Sequence, residues 1–544
     1  MSKRPDFNDF ARSGVEIPDL DEISDEFLED FPPEGDRPDD GDGRPEIRSV
    51  PGRLMESVRD AERALVRRQA LVYLFDDGAA TVRWRDGENE AARVTKLDKD
   101  HLIGILAENT KWARLKTDGK GTHFVDGDPP ERVAKTILAG MQSSALPRLK
   151  ALAHCPLVLP DGRLIATPGL DLQSGIYAAF RRNDFAGLKP SPDKSDAQAA
   201  LAELLEPFSD FCFEDPAGPY AVVAATLTLC CRSAIDDAVP MFVVTSSTPG
   251  TGKSKIVAAV STIAIGYEPP RMAQTDDTEF EKRVTALLLE GCPVIFIDNA
   301  EEALGGKALN ALLTTSANWG GRHLGVSRMA ALAARAVTFA TGNNLTIAGD
   351  LRRRVVPIVL TTELERPEER QGFKIPDLKK YLRQHRNRLA VAAITMVQAY
   401  LAATDPVVVQ PQLGGYEEWS RIVRGAIVWA GGKDPLATRA AILAEPDETA
   451  MAFGELLAQL LATFEQNSFT AADVVGVLAN HQDLKHALFG DKNVDGNAVG
   501  GKLRYWRKRI VGGLRVMALE VKTGGVKHWT VVAPAAQPAT EAAP

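Results

Sequence analysis

Short apolar runs separated by longer helix-forming stretches characterise the middle of the chain. These runs are Met241–Thr245, Val294–Ile297, Val337–Ala340 and Val355–Leu360. Continuous apolar runs of this length are typical of parallel strands, because helices cover both faces of a parallel sheet. Apolar residues at helical spacing precede them in Ala197–Pro207 and Tyr220–Arg232. The pattern predicts an α/β fold built on a parallel sheet.

The pattern differs on the two sides of this region. Between residues 53 and 141, helical spacing over Leu54–Leu65 is followed by strand-like alternation over Leu71–Trp84. We therefore expect a mixed α/β N-terminal domain. From residue 377 to about residue 461 helical patterns predominate, which predicts a helical region after the sheet.

The last part of the chain is predicted to hold two helices followed by a hairpin. One helix follows the N-cap Thr470 and runs to Ala479, and a second covers Asn497–Arg509. Apolar residues then alternate over Leu514–Leu519 and Val526–Val532, on either side of a Thr-Gly-Gly turn. Two helices and a two-stranded wing predict a winged helix.

Basic residues concentrate on the second helix of this predicted winged helix. From residue 500 to residue 530 there are eight Lys or Arg against one acidic residue, Glu520. Those on the helix are Lys502, Arg504, Arg507, Lys508 and Arg509. A basic helix and wing suit duplex DNA, with the helix in a major groove and cations on phosphates. A winged helix that docks a protein is the alternative.

Negative charge is concentrated at the N-terminus. The 544 residues carry a net charge of −9, yet residues 1–50 alone hold 16 acidic and 6 basic side chains. Their balance of −10 leaves the rest of the chain nearly neutral, at +1. We expect residues 1–50 and 534–544 to be disordered tails. The acidic tail either solubilises the chain, docks on a basic partner or shields the protein's own DNA-binding surface.

Composition also argues against several classes of protein. No stretch of about 18 apolar residues occurs, so no membrane-spanning helix is expected. The first residues lack the apolar core and the small-residue cleavage site of a secretory signal. The five cysteines form no Cys-x-x-Cys pair, which argues against a zinc ribbon or a disulfide framework. We expect a cytoplasmic protein that has no membrane partner.

The strongest candidate for chemistry is the segment that reads Ser-Thr-Pro-Gly-Thr-Gly-Lys-Ser, between a predicted strand and a predicted helix. This is the setting of a phosphate-binding loop, in which glycines let backbone N–H groups face phosphate oxygens and the helix N-terminus adds its dipole. Lys253 then supplies charge to the β- and γ-phosphates of ATP, and Ser254 supplies a hydroxyl to Mg²⁺. Ser247 stands where such loops usually begin with glycine. The residues expected at the nucleotide are Ser247, Pro249, Gly250, Thr251, Gly252, Lys253 and Ser254.

The next apolar run ends in Asp298-Asn299. This order places Asp298 at the carboxyl edge of the sheet, where it can hold Mg²⁺ together with Ser254. The residue that activates water is left open. Either Asn299 orients the water by hydrogen bonding, or Glu301 or Glu302 reaches in. The plainer interpretation of the two glutamates is a solvated helix start.

The third apolar run ends in a polar tip, Thr341-Gly342-Asn343-Asn344. An amide at a strand tip can contact both a γ-phosphate and the attacking water, which makes Asn343 a candidate catalytic residue. An Asn-rich turn is the alternative. Three arginines, Arg352–Arg354, follow shortly. A run of this kind is usually a solvated face.

Taken in order, the motifs are Ser247–Ser254, Val294–Asn299, Ala340–Asn344 and Asp350–Arg354. This order resembles an AAA+ ATPase, and more narrowly the helicase module of phage and mobile-element replication proteins allied to superfamily 3 viral helicases. The resemblance covers roughly residues 150–532. It implies an ATP-dependent DNA helicase or replication initiator that assembles as a ring, usually a homohexamer, and moves along one DNA strand. Primase motifs are lacking, so priming is not implied.

The resemblance also implies roles for further residues. Superfamily 3 helicases carry a channel hairpin whose tip has a basic residue followed by histidine, and Arg322-His323 matches that pair between the acidic strand and the Asn-tipped strand. These two residues are expected to contact DNA phosphates; a glycine-rich surface turn is the alternative. Arg353 and Arg354 match the arginine that reaches the γ-phosphate of a neighbouring subunit.

The predicted divisions are an acidic tail at 1–50, a mixed α/β domain at 51–150, a helical linker region at 151–236, an AAA+ core at 237–365, a helical collar or lid at 366–446, a winged helix at 447–533 and a tail at 534–544. If the acidic tail docks on a partner, a replication protein is the one that the resemblance implies. Two other functions stay open. One is an ATP-controlled switch that binds DNA, and the other is an AAA+ ATPase that remodels proteins; neither unwinds DNA.

Overall fold

A computed structural model describes the chain between residues 43 and 533, with short internal gaps. The residues outside the description are 1–42, 77, 85–91, 119–120, 141–143, 316–318, 323–328, 441–447, 466, 491–492, 508, 524–525 and 534–544. Most of the two predicted tails therefore lies outside the described residues. In the part of the chain that is described, no helix combines the length and the apolar character needed to cross a membrane.

Internal contacts divide the chain into two units. The large unit comprises the residues up to Thr346 together with Arg353–Arg439, and the small unit comprises Ile347–Arg352 together with the residues from Ala440 onward. The finer domain boundaries proposed from sequence stay predictions.

The large unit begins with a mixed α/β region. Its elements are β1 (Glu46–Ser49), α1 (Leu54–Arg67), β2 (Val72–Phe75), β3 (Gly78–Trp84), β4 (Ala92–Lys96), α2 (Lys99–Asn109), β5 (Lys111–Asp118), β6 (Gly121–Gly127) and α3 (Glu131–Leu138). Strand β1 pairs in parallel with β5, and β2, β3 and β4 form an antiparallel sheet. Strand β1 lies within residues 1–50, all of which we predicted as a disordered acidic tail. It forms a strand because β5, some sixty residues later, supplies its hydrogen-bonding partner.

Short strands and two helices connect this region to the central sheet. They are β7 (Ala151–Ala153), β8 (Leu157–Val158), β9 (Leu164–Ile165), β10 (Gly169–Asp171), β11 (Ile176–Ala178), α4 (Lys194–Leu205) and α5 (Gly218–Cys231). Asp193 caps α4, because its side chain accepts a hydrogen bond from the backbone N–H of Asp196. Helix α5 is buried along almost its whole length, which its uninterrupted apolar and small residues allow.

The central sheet has five strands, all parallel, in the order β13–β14–β17–β12–β18. This part of the chain consists of β12 (Met241–Ser246), α6 (Lys253–Ile265), β13 (Arg271–Met272), α7 (Asp277–Leu289), β14 (Val294–Ala300), α8 (Lys307–Leu312), the hairpin β15 (Trp319–Arg322) and β16 (Met329–Leu332), β17 (Val337–Asn343) and β18 (Val355–Leu360). The predicted parallel sheet is confirmed. Phe242, Phe296 and Phe339 are each at most 1% exposed, and burial of each ring contributes on the order of 1.5–3 kcal/mol.

Helices complete the large unit after the sheet. They are α9 (Leu378–Leu401), α10 (Glu417–Trp419) and α11 (Gly425–Trp429), with a π-helical turn Ser420–Arg424 between the last two. Helix α9 packs on α4 and α6. The guanidinium of Arg424 is buried and pairs with both carboxylate oxygens of Asp434 at 3.0 and 2.6 Å, so this interior charge has its counter-ion.

The small unit has its own apolar core. Its elements are α12 (Glu448–Phe464), β19 (Phe469–Thr470), α13 (Ala471–Ala479), α14 (Gln482–Phe489), α15 (Gly496–Trp506), β20 (Arg515–Thr523) and β21 (Val526–Val532). The strands form a sheet in the order β19–β21–β20. Thr470 is the predicted N-cap of α13, and its hydroxyl accepts from the backbone N–H of Asp473. The structure forms helix α14 where we predicted a linker. Only Leu484 and Leu488 define its buried side, and two apolar positions are too few to show helical spacing in the sequence.

Close contact between β14 and β17 yields a stability prediction. A Cβ atom added to Gly342 would lie 2.5 Å from the backbone oxygen of Ala300, too close for the strands to keep their spacing. We expect Gly342→Ala to lower the free energy of unfolding by about 1–3 kcal/mol in chemical denaturation. Gly104→Ala is the matched control, because no atom lies within 4 Å of its added Cβ and alanine favours the helix interior by about 0.5–1 kcal/mol. Equal stabilities of the two variants would contradict the prediction.

Candidate functional site

The loop after strand β12 has the shape of an anion-binding site. Strand β12 ends at Ser246, and helix α6 begins at Lys253. Gly250 and Gly252 have φ angles of 78° and 95°, in the left-handed region that favours glycine, and these two residues turn the chain into the helix. The first N–H groups of α6 have no acceptor within the helix, and the helix dipole adds positive potential there.

Hydrogen bonds of the Ser246 hydroxyl stabilise this loop. The Oγ of Ser246 accepts from the backbone N–H of Thr248 at 3.0 Å and from the hydroxyl of Thr251 at 3.0 Å, and it donates to the backbone oxygen of Thr248 at 2.6 Å. Ser247 and Pro249 are exposed at the tip of the loop. Hydrogen bonds of the Ser246 hydroxyl therefore add to the two glycines in fixing the curvature of the loop.

Lys253 connects the loop to the tip of the neighbouring strand. Its Nζ donates to the side-chain oxygen of Asn343, the last residue of β17, at 2.6 Å and to the backbone oxygen of Thr248 at 3.1 Å. Partial burial lowers the pKa of the Lys253 ammonium group. These partners are neutral oxygens, so the positive charge is held in place without being neutralised by them.

Asp298 is the acidic counterpart of Lys253. Its Oδ1 accepts from the hydroxyls of Ser254 at 2.8 Å and Thr341 at 2.6 Å, and its Oδ2 accepts from Arg271 Nη1 at 3.0 Å. Burial raises the pKa of Asp298, but the hydrogen bonds from Thr341 and Ser254 and the charge of Arg271 outweigh it, so the pKa lies below its ordinary value. An ionised carboxylate beside a serine hydroxyl offers the oxygen ligands that Mg²⁺ prefers.

An irregularity in strand β14 aims Asp298 at the loop. The register between β14 and β17 shifts between Ile297 and Ala300, and Asn299 has a φ of 55° at that point. Its backbone N–H donates to the hydroxyl of Thr341 at 3.0 Å, which holds the bulge against β17. The side-chain nitrogen of Asn299 donates to Glu301 Oε1 at 3.2 Å. Two of the candidate water-activating residues are therefore bonded to each other.

The three arginines have different environments. Arg354 Nη1 donates to the backbone oxygen of Asn310 at 3.4 Å and also to the side-chain oxygen of Asn310, so this guanidinium is engaged within its own chain. Arg352 donates to the backbone oxygen of Ile347 at 3.0 Å. Arg353 is exposed. Arg353 and Arg354, which the sequence alone treated alike, therefore differ in exposure, since Arg354 is half-buried.

The predicted DNA contacts are only partly described. Arg322 ends β15, opposite Met329 in the hairpin, while its neighbour His323 lies outside the described residues. In the small unit, Arg504, Arg507 and Arg509 are exposed, and the Arg509 guanidinium lies 4.5 Å from the centre of the Tyr505 ring. Lys502 Nζ lies 5.5 Å from the ring centre of Phe489, and Lys508 lies outside the described residues.

Sequence reasoning missed two side chains that hold the centre of the site. Thr341 is two residues before Asn343 on β17, and this period of two places both on one face of the strand. This spacing is the sequence signal that links Thr341 to the site. Arg271 belongs to β13, a strand of only 2 residues that leaves no recognisable pattern.

No protein-family model matches the chain, and no curated protein matches it. Among solved structures, the chain is similar to the A form apo structure of the NrS-1 C-terminal region, with a TM-score of 0.36 and 9% identity over 87% of this chain and 98% of that chain. It is also similar to the A form apo structure of NrS-1 residues 305–718, with a TM-score of 0.33 and 10% identity over 87% of this chain and 99% of that chain. Similarity this low leaves function to be inferred from the chain's own residues.

Thr341 provides a test of how the site is held. We expect Thr341→Val to lower the free energy of unfolding by about 1–3 kcal/mol, because it removes a donor to Asp298 and leaves the Asn299 N–H without its acceptor. Thr341→Ser keeps the hydroxyl and is the matched control. Urea denaturation of the two variants measures the difference. A valine variant as stable as the serine variant would show that these hydrogen bonds do not stabilise the bulge.

Proposed function

We propose that the chain is an AAA+ ATPase that uses ATP hydrolysis to unwind DNA or activate an origin in the replication of a phage or mobile element. The observation that carries the proposal is the junction of three strand ends. Lys253 at the loop is bonded to Asn343 on β17, and Ser254 beside it is bonded to Asp298 on β14. This brings a cation, a neutral amide and a metal-binding carboxylate to one end of a curled, helix-capped loop.

Each of these groups has a role toward ATP. The N–H groups at the start of α6 and the Lys253 ammonium would bind the phosphate oxygens. Ser254 and Asp298 would hold Mg²⁺, which when bound supplies positive charge against the phosphates. Asn343, released from Lys253 as the phosphates take its place, would orient the γ-phosphate and the attacking water. The water oxygen attacks the γ-phosphorus, and ADP leaves.

The water must also lose a proton. Asn299 has no titratable group, so it can orient the water by hydrogen bonding but cannot accept its proton. Glu301 is a carboxylate already bonded to Asn299 at 3.2 Å, which makes it the better-supported base in this proposal. Glu302 is bound through its backbone N–H to the side chain of Gln274 at 3.2 Å.

The DNA part of the proposal depends on charge and on the resemblance to superfamily 3 helicases. The hairpin β15–β16 occupies the position in the chain of the channel hairpin in that family, with Arg322 at the end of its first strand. In the small unit, helices α13 and α15 and the sheet β19–β21–β20 have the order expected of a winged helix, and exposed arginines follow α15. We propose that the hairpin contacts single-stranded DNA in a homohexameric ring and that the winged helix binds duplex DNA.

Lys253→Ala tests the nucleotide site. The variant should hydrolyse ATP at a negligible rate and keep its melting temperature, because a partly exposed charge is removed rather than core volume. The wild-type protein should displace a DNA strand only with ATP. DNA-stimulated hydrolysis without displacement would favour a DNA-binding switch, and hydrolysis indifferent to DNA would favour protein remodelling. Normal hydrolysis by Lys253→Ala would exclude the proposed site.

A mixing experiment tests whether subunits share active sites. We expect Arg353→Ala alone to reduce hydrolysis by on the order of 10³-fold, as loss of a trans-acting arginine does. Mixing it with Lys253→Ala subunits should restore part of the activity, because some interfaces then combine an intact loop with an intact arginine. Arg354→Ala is the companion variant: rescue of Arg354→Ala, and not of Arg353→Ala, by the Lys253→Ala subunits would assign the role across subunits to Arg354. A mixture that is inactive despite proven co-assembly would contradict a role for Arg353 across subunits.

A further inference from the structure

Two segments distant in sequence lie against the two glycines of the loop. A Cβ atom added to Gly252 would lie 2.9 Å from Cε1 of the Phe211 ring. One added to Gly250 would lie 2.6 Å from Oε2 of Glu368. Phe211 is half-buried, and an edge of its ring is the part that lies nearest to Gly252. None of the residues given a role above belongs to either segment.

Hydrogen bonds join these two segments, residues 210–214 and 368–375, and together they are called the wall. Arg370 Nη1 donates to the backbone oxygen of Asp210 at 2.6 Å. The Asp210 carboxylate in turn accepts from the backbone N–H groups of Lys374 at 3.1 Å and Ile375 at 2.9 Å. These contacts fix the residue that precedes Phe211 in the chain, and with it the position of the ring beside the loop.

The wall is attached to strand β18. The backbone N–H of Thr361 donates to the oxygen of Cys212 at 2.9 Å, and that of Glu214 donates to the oxygen of Val359 at 3.0 Å. Strand β18 pairs with β12 on the flank opposite to β17 and β14. The wall therefore lies on one side of the loop, and Asn343 and Asp298 lie on the other.

This arrangement gives a bound nucleotide a direction. If the terminal phosphate lies at Lys253 and Asn343, the nucleoside end must leave the loop on the other side, which is the side of Phe211. Charge supports the same direction, because the Glu368 carboxylate repels phosphate oxygens but not a neutral base or ribose. A flat aromatic ring is a good surface for a nucleobase, which stacks on it through apolar and π contacts.

We propose that Phe211 is the platform on which the nucleobase of a nucleoside triphosphate stacks. This rests on the proposed nucleotide site at Lys253 and assigns its nucleoside half. Phe211 contributes affinity for the base and none for the phosphates. Base–aromatic stacking of this kind corresponds to roughly 5- to 100-fold in affinity.

The test compares ATP with inorganic triphosphate, which has the phosphates but no nucleoside. Calorimetric titration of Phe211→Ala should show ATP binding weakened roughly 5- to 100-fold, with triphosphate binding unchanged. Phe124→Ala is the matched control, because Phe124 is an exposed phenylalanine in the N-terminal region and should change neither affinity. Phe211→Leu keeps apolar volume without the flat ring. It should also weaken ATP alone, and it replaces the alanine variant if that variant does not fold.

The outcomes separate this inference from the proposed function. Unchanged ATP affinity in Phe211→Ala and Phe211→Leu, or equal losses for ATP and triphosphate, would overturn it, since the ring would then only hold the loop in shape. A wild-type protein that binds neither ATP nor triphosphate would instead overturn the nucleotide site itself. Lys253→Ala should weaken both ligands.

Discussion

The placement of strand β17 between β12 and β14 is the constraint on which the candidate site depends. In this register Asn343 is the partner of Ser246 at the end of β12, and Gly342 lies against Ala300 in β14. Because side chains alternate along a strand, a slip of one residue would turn Thr341 and Asn343 to the opposite face and separate them from Asp298 and Lys253. Parallel pairing therefore does more than bury the core, since it brings residues from three strands to one end of the sheet.

The electrostatics of the site follow from how its polar groups are paired. Lys253 is held by neutral oxygens, so its charge is kept for an anion that enters the loop. Asp298 receives two hydroxyls and one guanidinium, which keep it ionised despite burial. Separate sets of hydrogen bonds thus orient the cation and the anion. In the proposed ATPase, such preorganisation would reduce the cost of arranging charged groups when phosphate and Mg²⁺ bind.

The two flanks of the loop are built differently. On the β17 side, short side chains at strand ends supply hydroxyl, amide and carboxylate groups. On the β18 side, an aromatic ring and a carboxylate reach the loop from irregular segments that are held by backbone and arginine hydrogen bonds. In the proposed nucleotide site, the polar strand ends would face the phosphates and the aromatic ring would face the flat, mostly apolar base.

Local features of the molecule could be predicted from the sequence, whereas its long-range neighbours could not. Apolar runs identified the main strands, and glycines next to lysine and serine identified the loop, because both signals involve residues close together in the chain. Strand order, the bond between Lys253 and Asn343 across 90 residues, the contacts of Thr341 and Arg271 with Asp298, and the engagement of Arg354 by Asn310 emerged only in three dimensions. The physical reason is that periodicity shows which faces are buried but not which buried faces meet. Phe211 illustrates this limit, since nothing in its neighbourhood in the sequence places it against Gly252, and only packing along β18 does.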